Sequence, residues 1–254
     1  MRKFNAIFSN QLYIMFMSPS TYVAAVLFTV FMAFVYMLSL VSLSENASAQ
    51  APTAQFLSIF PVPVLFIIPI LTMRSIAEEK KLGTLDSLLT TPVSVLQVVL
   101  AKFFACYFYY IALWALTLLF PILTKIYLPN SMTAGGIFSM QDILSGYSFI
   151  LISGLSYIAI GIFASSLTRT TLVAAMLSFF MLFCILIAGG VLSSITIPDA
   201  PYLSWVATLA EYTQSFRHLE DFNSTLVDTR PLFLYISVSV LFLSITTINM
   251  NIKR

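Results

Sequence analysis

Six long apolar runs, separated by short polar stretches, dominate the hydrophobic pattern of this chain. A membrane-spanning helix needs about 20 mostly apolar residues, because the hydrocarbon core of a bilayer is about 30 Å thick. The runs are Tyr22 to Leu43, Phe56 to Met73, Val95 to Leu123, Ile143 to Leu167, Leu172 to Ile197 and Pro231 to Ile252. The pattern therefore predicts an all-α integral membrane protein with six transmembrane helices in a single domain over residues 1–254.

The second run is the shortest, and it is the richest in proline. Pro61, Pro63 and Pro69 all lie within it. Proline lacks a backbone N–H and kinks or breaks a helix, although neighbouring helices can satisfy the freed carbonyl groups inside a membrane. We therefore predict a bent or broken second helix.

Apolar side chains recur with helical spacing in residues 1–20, before the first run. They are Phe4, Ile7, Phe8, Leu12, Met15 and Phe16. Polar side chains fill the other face, which is typical of a helix that lies in the membrane interface. The pattern predicts an N-terminal interfacial helix that ends at Ser18–Pro19, and an ordinary flanking segment is the alternative.

A second amphipathic stretch, residues 198–229, separates the last two runs. It mixes aromatic residues such as Trp205 and Tyr212 with acidic ones. Trp and Tyr favour the headgroup level of a bilayer. We predict that this stretch forms short helices resting on the extracytoplasmic surface.

Composition agrees with a membrane protein and excludes an ordinary soluble domain. The chain is 59% hydrophobic and 9% charged, with a mean hydropathy of +0.97, whereas a soluble domain is about 25% charged. The net charge of +2 does not indicate nucleic acid binding. Cys106 and Cys184 both lie in apolar runs, and their spacing indicates neither a disulfide nor a metal site.

The distribution of Lys and Arg predicts the orientation. With six spans, nine of the twelve basic residues fall on the side of both termini. Those nine are Arg2, Lys3, Arg74, Lys80, Lys81, Lys102, Arg169, Lys253 and Arg254; Lys125, Arg217 and Arg230 fall on the other side. Because cytoplasmic loops carry the excess of Lys and Arg, both termini are predicted to be cytoplasmic.

Residues 74–92, here called the charged loop, concentrate charge between the second and third runs. Six of the 22 formal charges lie there: Arg74, Glu78, Glu79, Lys80, Lys81 and Asp86. Met73 to Leu82 favours a helix that Gly83 interrupts, and Thr84 can cap a short second helix before Pro92. Leu85, Leu88 and Leu89 give that second helix one apolar face. Such an element can insert into a groove on a cytoplasmic partner, and a solvated turn anchored by its leucines is the alternative.

These residues resemble the permease subunits of ABC-2 type exporters. The likeness is carried by Pro69 to Arg74, Ala77 to Lys81, Gly83 to Leu85, Leu88 to Thr90, Pro92 and Lys102. This run is especially similar to the permease family associated with bacterial gliding motility. Weaker matches continue in order along nearly the whole chain.

The resemblance implies a type V exporter-like permease fold in a bacterial inner membrane. It implies that the charged loop is a coupling region for ABC ATPase subunits, through Glu78, Glu79, Gly83, Thr84, Leu85 and Leu88. It also implies a second permease chain and surrounding lipid as partners, with no nucleic acid. This chain would hold no cofactor, because ATP and Mg²⁺ would bind to the ATPase.

Two other functional classes remain as alternatives. A proton- or ion-coupled secondary transporter would place ionisable groups near the midplane, but only Lys102 lies within a run, and it is predicted to reach the interface by snorkelling. An intramembrane enzyme would need a catalytic motif. The single histidine, His218, excludes HExxH, and the sequence contains neither a GxSxG elbow nor a P-loop.

Overall fold

The computed structural model describes residues 2–45, 52–84, 94–127, 140–194 and 230–252. This part of the chain is helical apart from turns and contains no strand. Its helices are α1 (Arg2–Met17), α2 (Pro19–Glu45), α3 (Pro52–Ser58), α4 (Pro61–Thr72), α5 (Ala77–Leu82), α6 (Val95–Thr117), α7 (Leu119–Tyr127), α8 (Met140–Leu167), α9 (Thr171–Ser194) and α10 (Arg230–Ile252).

Five stretches of the described residues are long and apolar enough to cross a membrane. They are Pro19–Ser42, Pro61–Leu82, Val95–Tyr127, Ile143–Leu167 and Leu232–Ile252. Thr171–Leu186 in α9 is a shorter apolar stretch. The all-α membrane architecture is therefore confirmed, whereas the count of six spans stays a prediction.

The proline-rich second run is broken, as predicted. Helix α3 ends at Ser58, and α4 begins at Pro61 after a turn. Proline suits the first position of a helix, because the N–H there has no partner within the helix. The membrane-crossing part of this region therefore starts at Pro61 rather than at the predicted Phe56.

The third run, predicted as one span, consists of two helices that meet at Leu118. Helix α6 ends at Thr117, and α7 starts at Leu119. Pro121 lies in the first turn of α7, where it has no N–H to donate to the carbonyl of Thr117 four residues earlier. One proline thus explains the break that the apolar pattern alone did not predict.

Helix α8 lies at the centre of the bundle and packs against α3, α4, α5, α6, α9 and α10. Two of its glycines permit the closest approaches. A Cβ at Gly154 would lie under 3.0 Å from the ring of Tyr110 in α6, and a Cβ at Gly161 would lie equally close to Thr72 in α4. Small residues let membrane helices approach in this way, so α8 packs closely against both α4 and α6.

Helix α1 packs along α6, and its predicted end at Ser18–Pro19 is confirmed. Phe16 packs on Tyr109, with ring centroids 5.0 Å apart, and the Tyr109 hydroxyl donates to the Thr21 carbonyl at 3.2 Å. The placement of α1 in the membrane interface stays a prediction. Residues 198–229 lie outside the described residues.

Candidate functional site

The charged loop begins with turns rather than with the predicted helix from Met73. Residues 73–76 are turns, and α5 starts at Ala77. The cause is Ser165 at the end of α8, whose hydroxyl oxygen accepts from the N–H groups of Ile76 at 3.2 Å and Ala77 at 3.1 Å. The same hydroxyl donates to the Met73 carbonyl at 3.2 Å. A side chain from another helix thus replaces the intrahelical bonds at this point.

The predicted break at Gly83 is confirmed. Gly83 has φ 69°, in the left-handed region that favours glycine, and its N–H bonds to the carbonyls of Glu79 and Lys80. The Thr84 hydroxyl donates to the Glu79 carbonyl at 3.4 Å. Leu85 and Leu88 lie outside the described residues, so their role in docking stays a prediction.

Lys102 of α6 reaches the charged loop from a buried position. Its side chain is 1% exposed, and its ammonium group lies 2.6 Å from Oε1 of Glu79. The same nitrogen donates to the Ser75 carbonyl. The charge is therefore satisfied by two acceptors that the charged loop supplies rather than by water, and its predicted position at the membrane interface stays a prediction.

Helix α5 is also bonded to the end of α8, which in turn is bonded to the end of α10. Lys80 Nζ donates to the Ser166 carbonyl, and Nδ2 of Asn249 in α10 donates to the same oxygen at 3.3 Å. Arg74 donates to the Ser18 hydroxyl at 2.9 Å, which links the loop to the start of α2. Together with Lys102, these bonds bring together the start of α2, the helix α5, the first turns of α6 and the last turns of α8 and α10.

This cluster of residues 73–84 with Ser18, Lys102, Ser165, Ser166 and Asn249 is called the junction below. The charges of α5 within it agree with the helix dipole. Glu78 and Glu79 lie in the first turn, and Lys80 and Lys81 lie in the last. The negative charges thus lie at the N-terminal end of the helix and the positive charges at its C-terminal end, where the dipole favours them.

The two acids of α5 differ in accessibility. Glu78 is 44% exposed, and its carboxylate lies 4.0 Å from Arg74. Glu79 is 26% exposed, and its Oε2 atom is buried without a hydrogen-bond partner in the described part of the chain. Contact of either acid with a partner protein stays a prediction, and Glu78 is the more open of the two.

Reasoning from sequence did not include Ser165, Ser166 or Asn249 in the site. Serine and asparagine at helix ends are too common to stand out. The sequence did contain one signal, the charge of Lys102 within an apolar run. Such a charge indicates a functional site and requires a partner of opposite charge nearby. Following that rule would have led to an acid in the neighbouring charged loop.

An apolar groove of about 380 Å³ opens between α2 and α4. It is lined by Ala24, Leu27, Phe28, Phe31, Val62, Pro63, Phe66, Ile67 and Ile70. Helix α9 adjoins it, because Phe179 of α9 packs on Phe66 with ring centroids 5.6 Å apart.

An apolar helical bundle with a charged junction at one end defines a multi-pass membrane protein. Residues 38–251 match the family described as ABC-2 family transporter protein, which is more than half of the chain. This chain therefore belongs to that family and is the membrane component, or permease, of an ABC transporter. Such a component takes part in transport and is not itself a catalyst.

A comparison with curated proteins gives no match. The likeness to the gliding-motility permeases accordingly stays a prediction.

Proposed function

We propose that this chain is the permease subunit of an ATP-driven exporter, and that a separate ATPase docks on the charged loop. The proposal rests on the junction, where hydrogen bonds and an ion pair hold the charged loop at the end of the bundle. Helix α5 is bonded to α6 and α8, ends in a left-handed Gly83 and displays Glu78 and Lys81 at its surface. A rigid charged element at the end of a membrane bundle is suited to receive a soluble partner.

The ATPase supplies the energy in this proposal. It binds ATP and Mg²⁺, and the approach of two ATPase subunits displaces two charged loops, one from each of two permease chains. The groove between α2 and α4, with α9 beside it, supports a substrate path along these helices. Its apolar lining favours a lipidic or amphipathic substrate.

The junction does not favour the alternative of proton coupling. Lys102 lies seven residues after the first residue of α6, about 10 Å along the helix axis. Its partner Glu79 belongs to the loop at the end of the bundle. A coupling site is expected near the middle of the membrane, whereas this pair lies at the edge of the bundle.

Single cysteines are expected to show both termini in the cytoplasm of a bacterial inner membrane. The reason is the excess of Lys and Arg on the junction side. An impermeant maleimide added outside should label probes at Ser48 and Asn223 but not at Lys81 or Arg254. Permeabilised cells serve as the control, in which all four probes should react. Labelling of Lys81 in intact cells would place the junction outside and exclude docking of a cytoplasmic ATPase.

The double substitution Leu85→Ala with Leu88→Ala is expected to weaken ATPase association strongly. Truncating a buried interface anchor costs about 2 kcal/mol or more, whereas an exposed charge at a rim contributes little. Co-purification of the ATPase with tagged permease measures the effect. Leu172→Ala, which truncates an exposed leucine of α9 outside the charged loop, is the matched control and should retain the ATPase. Retention by the double leucine variant at the wild-type level would mean that the partner docks elsewhere.

A further inference from the structure

A lysine inside the bundle is the feature that docking alone leaves unexplained. Lys102 is among the largest fully buried side chains of the described residues. An ammonium group loses most of its hydration in such a place, and a protein keeps one there only with fixed partners. Methionine would fill a similar volume without that cost. The charge itself must therefore serve a purpose.

Both acceptors of Lys102 belong to the charged loop. Ser75 precedes α5 and offers its carbonyl, and Glu79 lies in the first turn of α5 with Oε1 at 2.6 Å. One ammonium group thus binds the chain on both sides of the start of α5. Lysine suits this task, because its ammonium is a compact charge with three donors.

Helix α5 depends on such bonds for its position. It has six residues, and an isolated helix shorter than about 12 residues is marginal in water. Helix α8 holds it through Ser165, which binds the N–H groups of Ile76 and Ala77, and through the Lys80–Ser166 bond. Lys102 supplies the corresponding attachment to α6.

We infer that Lys102 is a positioning residue that locks α5 to α6. With α8 bonded from the other side, α5, the first turns of α6 and the last turn of α8 move as one rigid body. Within the proposed function, on which this second step rests, displacement of α5 by the ATPase reaches α6 directly. Without Lys102 the same displacement bends the turns of residues 73–76 and does not move α6.

Distances between spin labels in the full-length protein test the lock. One pair of labels is placed at the exposed positions Leu82 and Leu96, and it measures the distance between α5 and the start of α6. A second pair, at Leu96 and at the exposed Val173 of α9, measures the distance between α6 and α9 within the bundle. The native Cys106 and Cys184 are first replaced by alanine so that only the introduced cysteines react.

Two variants are compared with wild type. Lys102→Met removes the charge, and Lys102→Met with Glu79→Leu also removes the stranded carboxylate, which keeps the test open if the single variant folds poorly. Both should broaden the Leu82–Leu96 distance distribution and leave the Leu96–Val173 distribution unchanged. Lys81→Met, the matched control, should leave both unchanged. A wild-type Leu82–Leu96 distribution in either Lys102 variant overturns the inference, and so does equal broadening of both pairs in both variants.

A second measurement separates this inference from the proposed function. The ATPase subunit that co-purifies with wild type is added to the labelled proteins, with and without nucleotide. Nucleotide should shift the Leu96–Val173 distance in wild type, and that shift should be lost in Lys102→Met although the ATPase still binds. If no ATPase binds wild type, the proposed function fails, while the Leu82–Leu96 distances still decide the positioning role.

Discussion

Glu79→Leu is expected to destabilise the fold by about 3–5 kcal/mol, more than Lys102→Met, which should cost about 1–3 kcal/mol. The two partners of one ion pair differ because their exposure differs. Loss of Glu79 strands an ammonium group that is 1% exposed, whereas loss of Lys102 leaves a carboxylate that is 26% exposed and can gain water. The Ser75 carbonyl alone cannot neutralise the stranded ammonium.

The measurement is unfolding in mixed micelles as the denaturing detergent is increased. The double variant Lys102→Met with Glu79→Leu should be close to wild type, because replacing both partners of a buried pair by apolar residues is often neutral. Lys81→Met should change the free energy of unfolding by less than about 0.5 kcal/mol. Additive costs of the two single changes in the double variant would show that the pair is not coupled.

Gly83→Pro is expected to abolish ATPase co-purification, whereas Gly83→Asn should retain most of it. Proline locks φ near −65° and has no N–H, but Gly83 has φ 69° and donates to the carbonyls of Glu79 and Lys80. Proline therefore redirects the chain after α5, whereas asparagine tolerates the left-handed region.

Gly83→Ala separates backbone strain from steric contact. No atom of the described residues lies within 4 Å of an added Cβ at Gly83, so the cost is the left-handed conformation alone, about 1–2 kcal/mol. Co-purification should fall in the order Asn, Ala, Pro, while yield and insertion stay near wild type. Equal recovery of the ATPase by all three variants would contradict docking through the segment after Gly83.

The apolar pattern predicted the architecture well, because a bilayer imposes a length and a composition on each span. The break at Ser58–Pro61 followed from the prolines, and the break at Gly83 followed from the special backbone freedom of glycine. The break at Leu118 was predictable from Pro121 by the same argument, but the average hydropathy of the third run hides a single proline among apolar neighbours. Here local chemistry overrides the average hydropathy.

The junction was predictable only in part. Its location and its charged residues were visible as a concentration of charge, but their partners come from residues far away in sequence. Ser165 changes the start of α5 from residue 73 to Ala77, and Glu79 turns inward to Lys102 rather than towards solvent. Hydropathy does not encode such pairings, because they depend on which helix ends meet in three dimensions.

The dependence of α5 on late parts of the chain has a consequence for biogenesis. Synthesis proceeds from the N-terminus, so α5 emerges well before its partners Ser165 and Ser166 of α8. Until α8 has been made, the N–H groups of Ile76 and Ala77 lack the Ser165 hydroxyl that orients them. The charged loop thus acquires its final shape only once α8 is present, and under the proposed docking an ATPase that recognises that shape distinguishes such permeases from chains truncated before α8.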